Sequence, residues 1–159
     1  MPKAAEPGVE AARAIWFYGD LVLVHLSGRE TDGRFCLLEF LQPAGETTPL
    51  HVHRGADQTM YVLEGEITLY LPGHAVTAGP GACAYGPRGV PHTERVGPAG
   101  VRAMEVCSPA GFEDFVIAAG VPATTMTLPP ADLPPDLQRI AALAAEHDIE
   151  VLGPPGELP

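Results

Sequence analysis

The chain has 159 residues, with twenty acidic side chains against nine basic ones, a formal charge of −11, and a composition 46% hydrophobic and 18% charged. That balance fits one compact acidic domain. It excludes the cationic stripe needed to neutralise nucleic-acid phosphates or to hold an anionic membrane surface, since the nine basic residues are scattered. No apolar stretch approaches the length of a membrane span and no secretory segment follows Met1-Pro2-Lys3, so a soluble cytoplasmic protein is expected.

Residues 1 to 13 have no periodic pattern and are expected to be flexible. From residue 14 to 108 the sequence comes in short β-favouring runs cut by Gly and Pro. These are Ile15 to Tyr18, Leu21 to Leu26, Phe35 to Leu41, Thr59 to Leu63, Ile67 to Leu71 and Val101 to Cys107. Even spacing of short strands predicts an all-β sandwich or barrel. Turns are expected at Thr31-Asp32-Gly33, at Leu71-Pro72-Gly73-His74 and, as a tight hairpin, at Glu64-Gly65-Glu66.

Residues 109 to 159 change character. Gly111 to Ala119 predicts a short helix with Phe112, Phe115, Val116 and Ala119 on one face, closed by Gly120 and Pro122. Ala123 to Pro135, with four prolines, predicts an extended linker. A second helix is expected to open at Pro134-Pro135-Asp136 and run to about His147, with a stripe of Leu137, Ile140, Ala141 and Ala144. Two short helices cannot bury their faces alone, so the tail is expected to pack on the barrel or on a dimer partner. Cys36, Cys83 and Cys107 are odd in number and lack CxxC spacing, which predicts core thiols and neither disulfides nor a thiolate metal site.

Three histidines fall where chemistry can use them. His51 and His53 are two residues apart, and on a strand such a pair projects to one face. His92, in Gly89-Val90-Pro91-His92, would bring a third imidazole from a distant strand and complete a facial set with positions open to substrate. Glu39 and Glu105 stand inside otherwise apolar strands, where a carboxylate needs a partner or a function. Tyr61, Tyr85 and Met104 are candidates to line a substrate pocket.

The frame around these histidines resembles the cupin superfamily. Its first motif, Gly-x5-His-x-His-x(3,4)-Glu-x6-Gly, is matched by Gly45, His51, His53 and Gly65, with Gln58 where the family places glutamate. Its second, Gly-x5-Pro-x-Gly-x2-His-x3-Asn, is matched by Gly81, Pro87, Gly89 and His92, with Val96 in place of Asn. The six-residue gap to Gly65 favours Gln58 over Asp57 as the fourth ligand. Tyr61 to Glu66 most resembles small single-domain, quercetin-dioxygenase-like members.

The resemblance implies a double-stranded β-helix, or jelly-roll, barrel. Inside it His51, His53, Gln58 and His92 would hold one divalent transition metal, such as Fe, Mn, Ni, Co or Zn. It also implies a metal-dependent enzyme acting on a small oxygenated or aromatic molecule, with dioxygenation the leading expectation. Non-redox cyclisation or isomerisation of a polyketide-like substrate is the alternative, and a non-catalytic small-molecule-binding module the third reading. A carboxamide brings neither charge nor basicity, so Gln58 puts flavonol dioxygenation in question and turns attention to Glu39 and Glu105 as bases. A homodimer is expected, with Ile15 to Tyr18 or the last helix at its interface, because the adjacent Trp16 and Phe17 cannot both face one barrel interior.

Overall fold

The computed structural model describes residues 13–159. The expectation of a flexible start therefore lies outside the described residues, apart from Arg13. The elements in chain order are β1 (Arg13–Phe17), β2 (Asp20–Leu26), β3 (Cys36–Gln42), β4 (Pro49–His53), β5 (Asp57–Leu71), β6 (His74–Ala78), β7 (Cys83–Gly86) and β8 (Thr93–Ser108). They continue with α1 (Phe112–Ala119), β9 (Val121–Pro122), α2 (Leu137–Glu146) and β10 (Ile149–Pro155). One antiparallel sheet runs β6-β5-β8-β3-β2-β1-β9, with β7 also paired to β5, and β4 pairs with β10 in a second. Bridges at His51–His92 and Thr47–Arg95 tie the second sheet to the start of β8.

Alternation along the strands decides what faces inward. In β3, Cys36, Leu38, Phe40 and Gln42 are buried on one face, and in the first half of β5 so are Gln58, Met60 and Val62. Burying each aliphatic or aromatic side chain of this kind stabilises the fold by about 1.5–3 kcal/mol. Two apolar clusters result. Met60, Val62, Ile67, Leu69 and Val101 fill one end of the barrel. Phe17, Val22, Leu38, Phe40, Phe115 and Ile149 build the other, beneath the two helices.

Several expectations are corrected. Gly65 makes no hairpin. Thr59–Leu63 and Ile67–Leu71 are one continuous strand, because both halves pair with β8, and the register slips on either side of Gly65. Gly65 has φ +78, and a Cβ there would run into the Gly100 carbonyl oxygen. The slip lets Val62 and Ile67, of opposite parity, both point inward.

The inner stripe of α2 is rotated from the expected one. Ala144 is buried and Ile140 and Leu143 are half-buried, while Leu137 is 55% exposed and Ala141 is exposed. Cys83 is exposed and only Cys36 and Cys107 are core thiols, facing each other across β3 and β8. Trp16 is covered by the chain's own tail, its indole Nε1 donating to Thr127 O at 2.8 Å, so the pair Trp16 and Phe17 needs no partner subunit to be buried.

Two features position the site. Glu113, 2% exposed, accepts backbone N–H bonds from Gly28 and Gly111, each at 2.7 Å, and so fixes the start of α1 against the β2–β3 loop. At α2, Asp136 caps the helix by accepting from Arg139 N at 2.9 Å. The chain then reaches β10, which the sequence reading missed. It pairs with the histidine strand itself, Ile149 opposite His53 and Val151 opposite His51.

Candidate metal centre

His51 and His53 project from β4 on the same side, as spacing of two on a strand requires, and the His51–His92 bridge brings the third ring alongside. The ring centroids are 4.4 to 5.6 Å apart, and one ligand nitrogen from each residue lies within 4.8 Å of the other two. Among the described residues this is the one set of His, Cys, Asp or Glu side chains whose ligand atoms converge so closely.

The surroundings keep these rings in the state a cation needs. Burial, with the charges of the neighbouring rings, pushes the His51 pKa down to about 4; the same causes depress His53, and burial depresses His92. All three are then neutral near pH 7, each with one nitrogen lone pair. His51 Nδ1 sits 2.7 Å from Pro49 O, and His92 Nδ1 3.0 Å from Val90 O. Each Nδ1–H donates to its carbonyl, which leaves Nε2 as the lone-pair nitrogen. His53 is steadied by the edge-on ring of Phe112, centroids 5.2 Å apart.

Gln58 completes the set in an informative way. Its Oε1 lies 3.2 Å from His92 Nε2, and both atoms are buried. With the His92 proton already on Nδ1, these are two acceptors aimed at one another, an arrangement that costs energy and that a cation held by both residues would relieve. On its other side the Gln58 amide lowers the Glu105 pKa, against the larger upward effect of burial. Three neutral imidazoles and one amide oxygen fit a divalent transition ion.

His51, His53 and Gln58 open on a cavity of about 690 Å³, part of it open to solvent. Phe17, Tyr18, Phe40, Phe112 and Phe115 line it, and Ile140, Ala144, Ile149 and Val151 of the tail close over it. Glu105, 2% exposed, also lines it, its pKa raised to about 7 by burial. Glu94 lines it too, with its pKa raised to about 8 by burial and by the charges of Glu105 and Glu46.

Other candidate residues lie elsewhere. Glu39 is on the outer face of β3, accepting from Arg102 Nε at 2.6 Å and lying 2.8 Å from His25 Nε2, so its burial is explained by an ion-pair network and it does not reach the cavity. Tyr61 and Tyr85 are 45% and 51% exposed, and Met104 pairs with Tyr61 on the outside. Parity is the reason. Tyr61 is three residues from Gln58, Met104 is adjacent to Glu105, and Tyr85 sits opposite outward-facing Thr59, so none can share the inner face. Asp57 also faces out, bound to Arg88 at 2.9 Å, which excludes it as the fourth ligand.

The sequence reading missed Asp20, Gln42 and Glu94, and every cavity residue of α2 and β10. Glu94 was recoverable, since it stands two residues beyond His92 and shares its face.

Residues 37–106 match the family model Cupin_2, cupin domain. Among curated proteins, quercetin 2,3-dioxygenase of Bacillus subtilis is 30% identical over 94 residues, 59% of this chain but only 28% of that enzyme's length. Among solved structures, the polyketide cyclase RemF of Streptomyces resistomycificus superposes with a TM-score of 0.52 at 29% identity, covering 69% of this chain and 80% of the cyclase. An RmlC-like cupin from Shewanella frigidimarina superposes with a TM-score of 0.54 at 24% identity, over 65% of this chain and 89% of that one.

Proposed function

This chain carries a cupin domain, and from that premise we propose that it is a metal-dependent enzyme that cyclises or dehydrates a polyketide-like aromatic precursor without using oxygen. The observation that carries the reading is Gln58: a neutral amide oxygen facing His92 Nε2, where a glutamate would add charge and basicity. The likeness to a polyketide cyclase over four-fifths of that protein supports the same direction.

A divalent ion held by His51, His53, His92 and Gln58 would supply Lewis acidity to a substrate carbonyl. The protein does the rest. The aromatic walls at Phe40, Phe112 and Phe115 take up the ring system and exclude water, which strengthens every polar contact inside. Glu105 and Glu94 stand in the same cavity as carboxyl groups able to give or take a proton. In a cyclisation, one carboxylate removes a proton from the carbon between two carbonyls. That carbon bonds to a second carbonyl carbon, whose oxygen takes up a proton, and water is lost as the ring becomes aromatic.

The test is metal analysis of protein purified without added ions, followed by turnover of a linear poly-β-ketone mimic under argon. Anaerobic conversion with loss of water is expected. Flavonol cleavage with matching oxygen uptake, and no anaerobic turnover, would replace this reading with dioxygenation, which the Bacillus subtilis enzyme's partial likeness favours.

A further inference from the structure

Beyond the histidines, the cavity holds a second polar group, of which the proposed chemistry uses Glu94 alone. Asp20, the first residue of β2, and Gln42, the last of β3, face inward, and Glu94 joins them from β8. They are 2%, 5% and 5% exposed. Gln42 Nε2 donates to Asp20 Oδ2 at 3.3 Å and to Glu46 Oε1 at 3.4 Å, which fixes which end of the amide points where. One oxygen on each residue, Asp20 Oδ1, Gln42 Oε1 and Glu94 Oε1, has no protein partner although it is buried. A buried polar atom left alone costs about 1–3 kcal/mol, and three in one cavity mark a place for a hydrogen-bonding guest.

The kind of donor follows from the surroundings. Gln42 Oε1 has no proton to give in any state, so whatever meets it must donate. A metal ion is disfavoured, because among the described residues the converging ligand atoms are those of the three histidines and not of this group. No Lys or Arg lines the cavity to supply a donor from within the protein. Burial and the nearby Glu46 carboxylate favour the neutral, protonated form of Asp20, which suits a neutral guest over an ammonium. A hydroxyl both donates and accepts, and so satisfies a carboxylic acid and an amide oxygen together.

We propose that Asp20, Gln42 and Glu94 form a hydroxyl-binding subsite. It would orient the substrate by an alcoholic or phenolic group carried on its apolar body, away from the carbonyl addressed by the histidines. This inference rests on the reading of the cavity as the substrate site of a metal-dependent enzyme.

The probes are catechols, which anchor to the metal-loaded protein by chelation, carrying at the ring's 4-position an alkyl, ω-hydroxyalkyl or ω-aminoalkyl chain of two to four carbons. Calorimetric titration is expected to show the best hydroxyalkyl probe binding about tenfold tighter than its alkyl counterpart, the scale of one added buried hydrogen bond. Asp20→Ala and Gln42→Met, which leave no hydrogen-bonding group at those points, should erase the preference while leaving metal content and alkyl-probe affinity unchanged. The ligand series on the unaltered protein decides the matter even where a variant does not fold. Equal binding of all three probe types overturns the subsite and leaves the metal-site reading standing. Preference for the aminoalkyl chain overturns it in favour of an anionic subsite. Failure of every catechol to bind metal-loaded protein sinks the substrate-site reading and this inference with it.

Discussion

A single proton assignment gives the centre much of its meaning. His92 can carry one proton when neutral, Val90 O claims it at Nδ1, and Gln58 Oε1 is left facing a lone pair at 3.2 Å. Replacing the amide by a carboxylate in Gln58→Glu adds a negative charge to that point, so metal affinity should rise by about tenfold or more, measured by competition with a chelator. Unchanged affinity would show that residue 58 does not touch the ion.

On the outer face the neighbouring residue follows different chemistry. Hydrogen bonds from Arg88 hold the Asp57 pKa down at about 2, against an ordinary 3.8. A carboxylate with a depressed folded-state pKa favours folding above its ordinary value and loses that contribution as pH falls from 3.8 through about 2. In Arg88→Ala the Asp57 carboxyl carbon should titrate clearly above 2 by NMR but short of 3.8, because the backbone N–H of residue 88 still donates to it. A midpoint still near 2 would mean that the guanidinium is not the main cause.

At the scale of elements, a spacing of two settled which residues could meet wherever the strand was read correctly. His51 and His53 share a face for that reason, and the same rule applied between Gln58 and Tyr61, or between Glu105 and Met104, would have removed two of the three pocket candidates. What no local pattern disclosed is that Gly65 interrupts parity without ending the strand. Its neighbours Glu64 and Glu66 read like a turn, and only the pairing of both halves with β8 makes one bent strand of them.

Gly65→Ala should therefore be costly twice over, through a positive φ and through collision with Gly100 O, for a loss of roughly 3 kcal/mol or more in urea unfolding. Gly73→Ala shares the positive φ, at +80, but has open space around it, so roughly 1 kcal/mol is expected. Equal losses at the two positions would show that the close approach of the β5 and β8 backbones matters less than backbone conformation alone.

At the scale of the whole molecule, the barrel and its three histidines were legible because each motif residue carries its own local signature. The cavity's other wall was not. Ile149 and Val151 belong to a segment rich in Pro and Gly that reads as loop, and its strand exists only because β4, about a hundred residues earlier, offers an unpaired edge. Stopping the chain after Asp148 removes that partner. It strips Ile149 and Val151 from the cavity, uncovers the backbone groups of the strand carrying His51 and His53, and removes the Arg54–Glu150 ion pair at 2.6 Å. The main sheet makes no pairing with β10, so strand content by far-UV circular dichroism should change little. Metal affinity should fall by about tenfold or more, because ligands on a strand free to shift are no longer held in place before the ion arrives. If the shortened chain bound metal as tightly as the full one, β4 would be positioned by its bridges to β8 alone, and the C-terminal strand would be only a wall of the cavity.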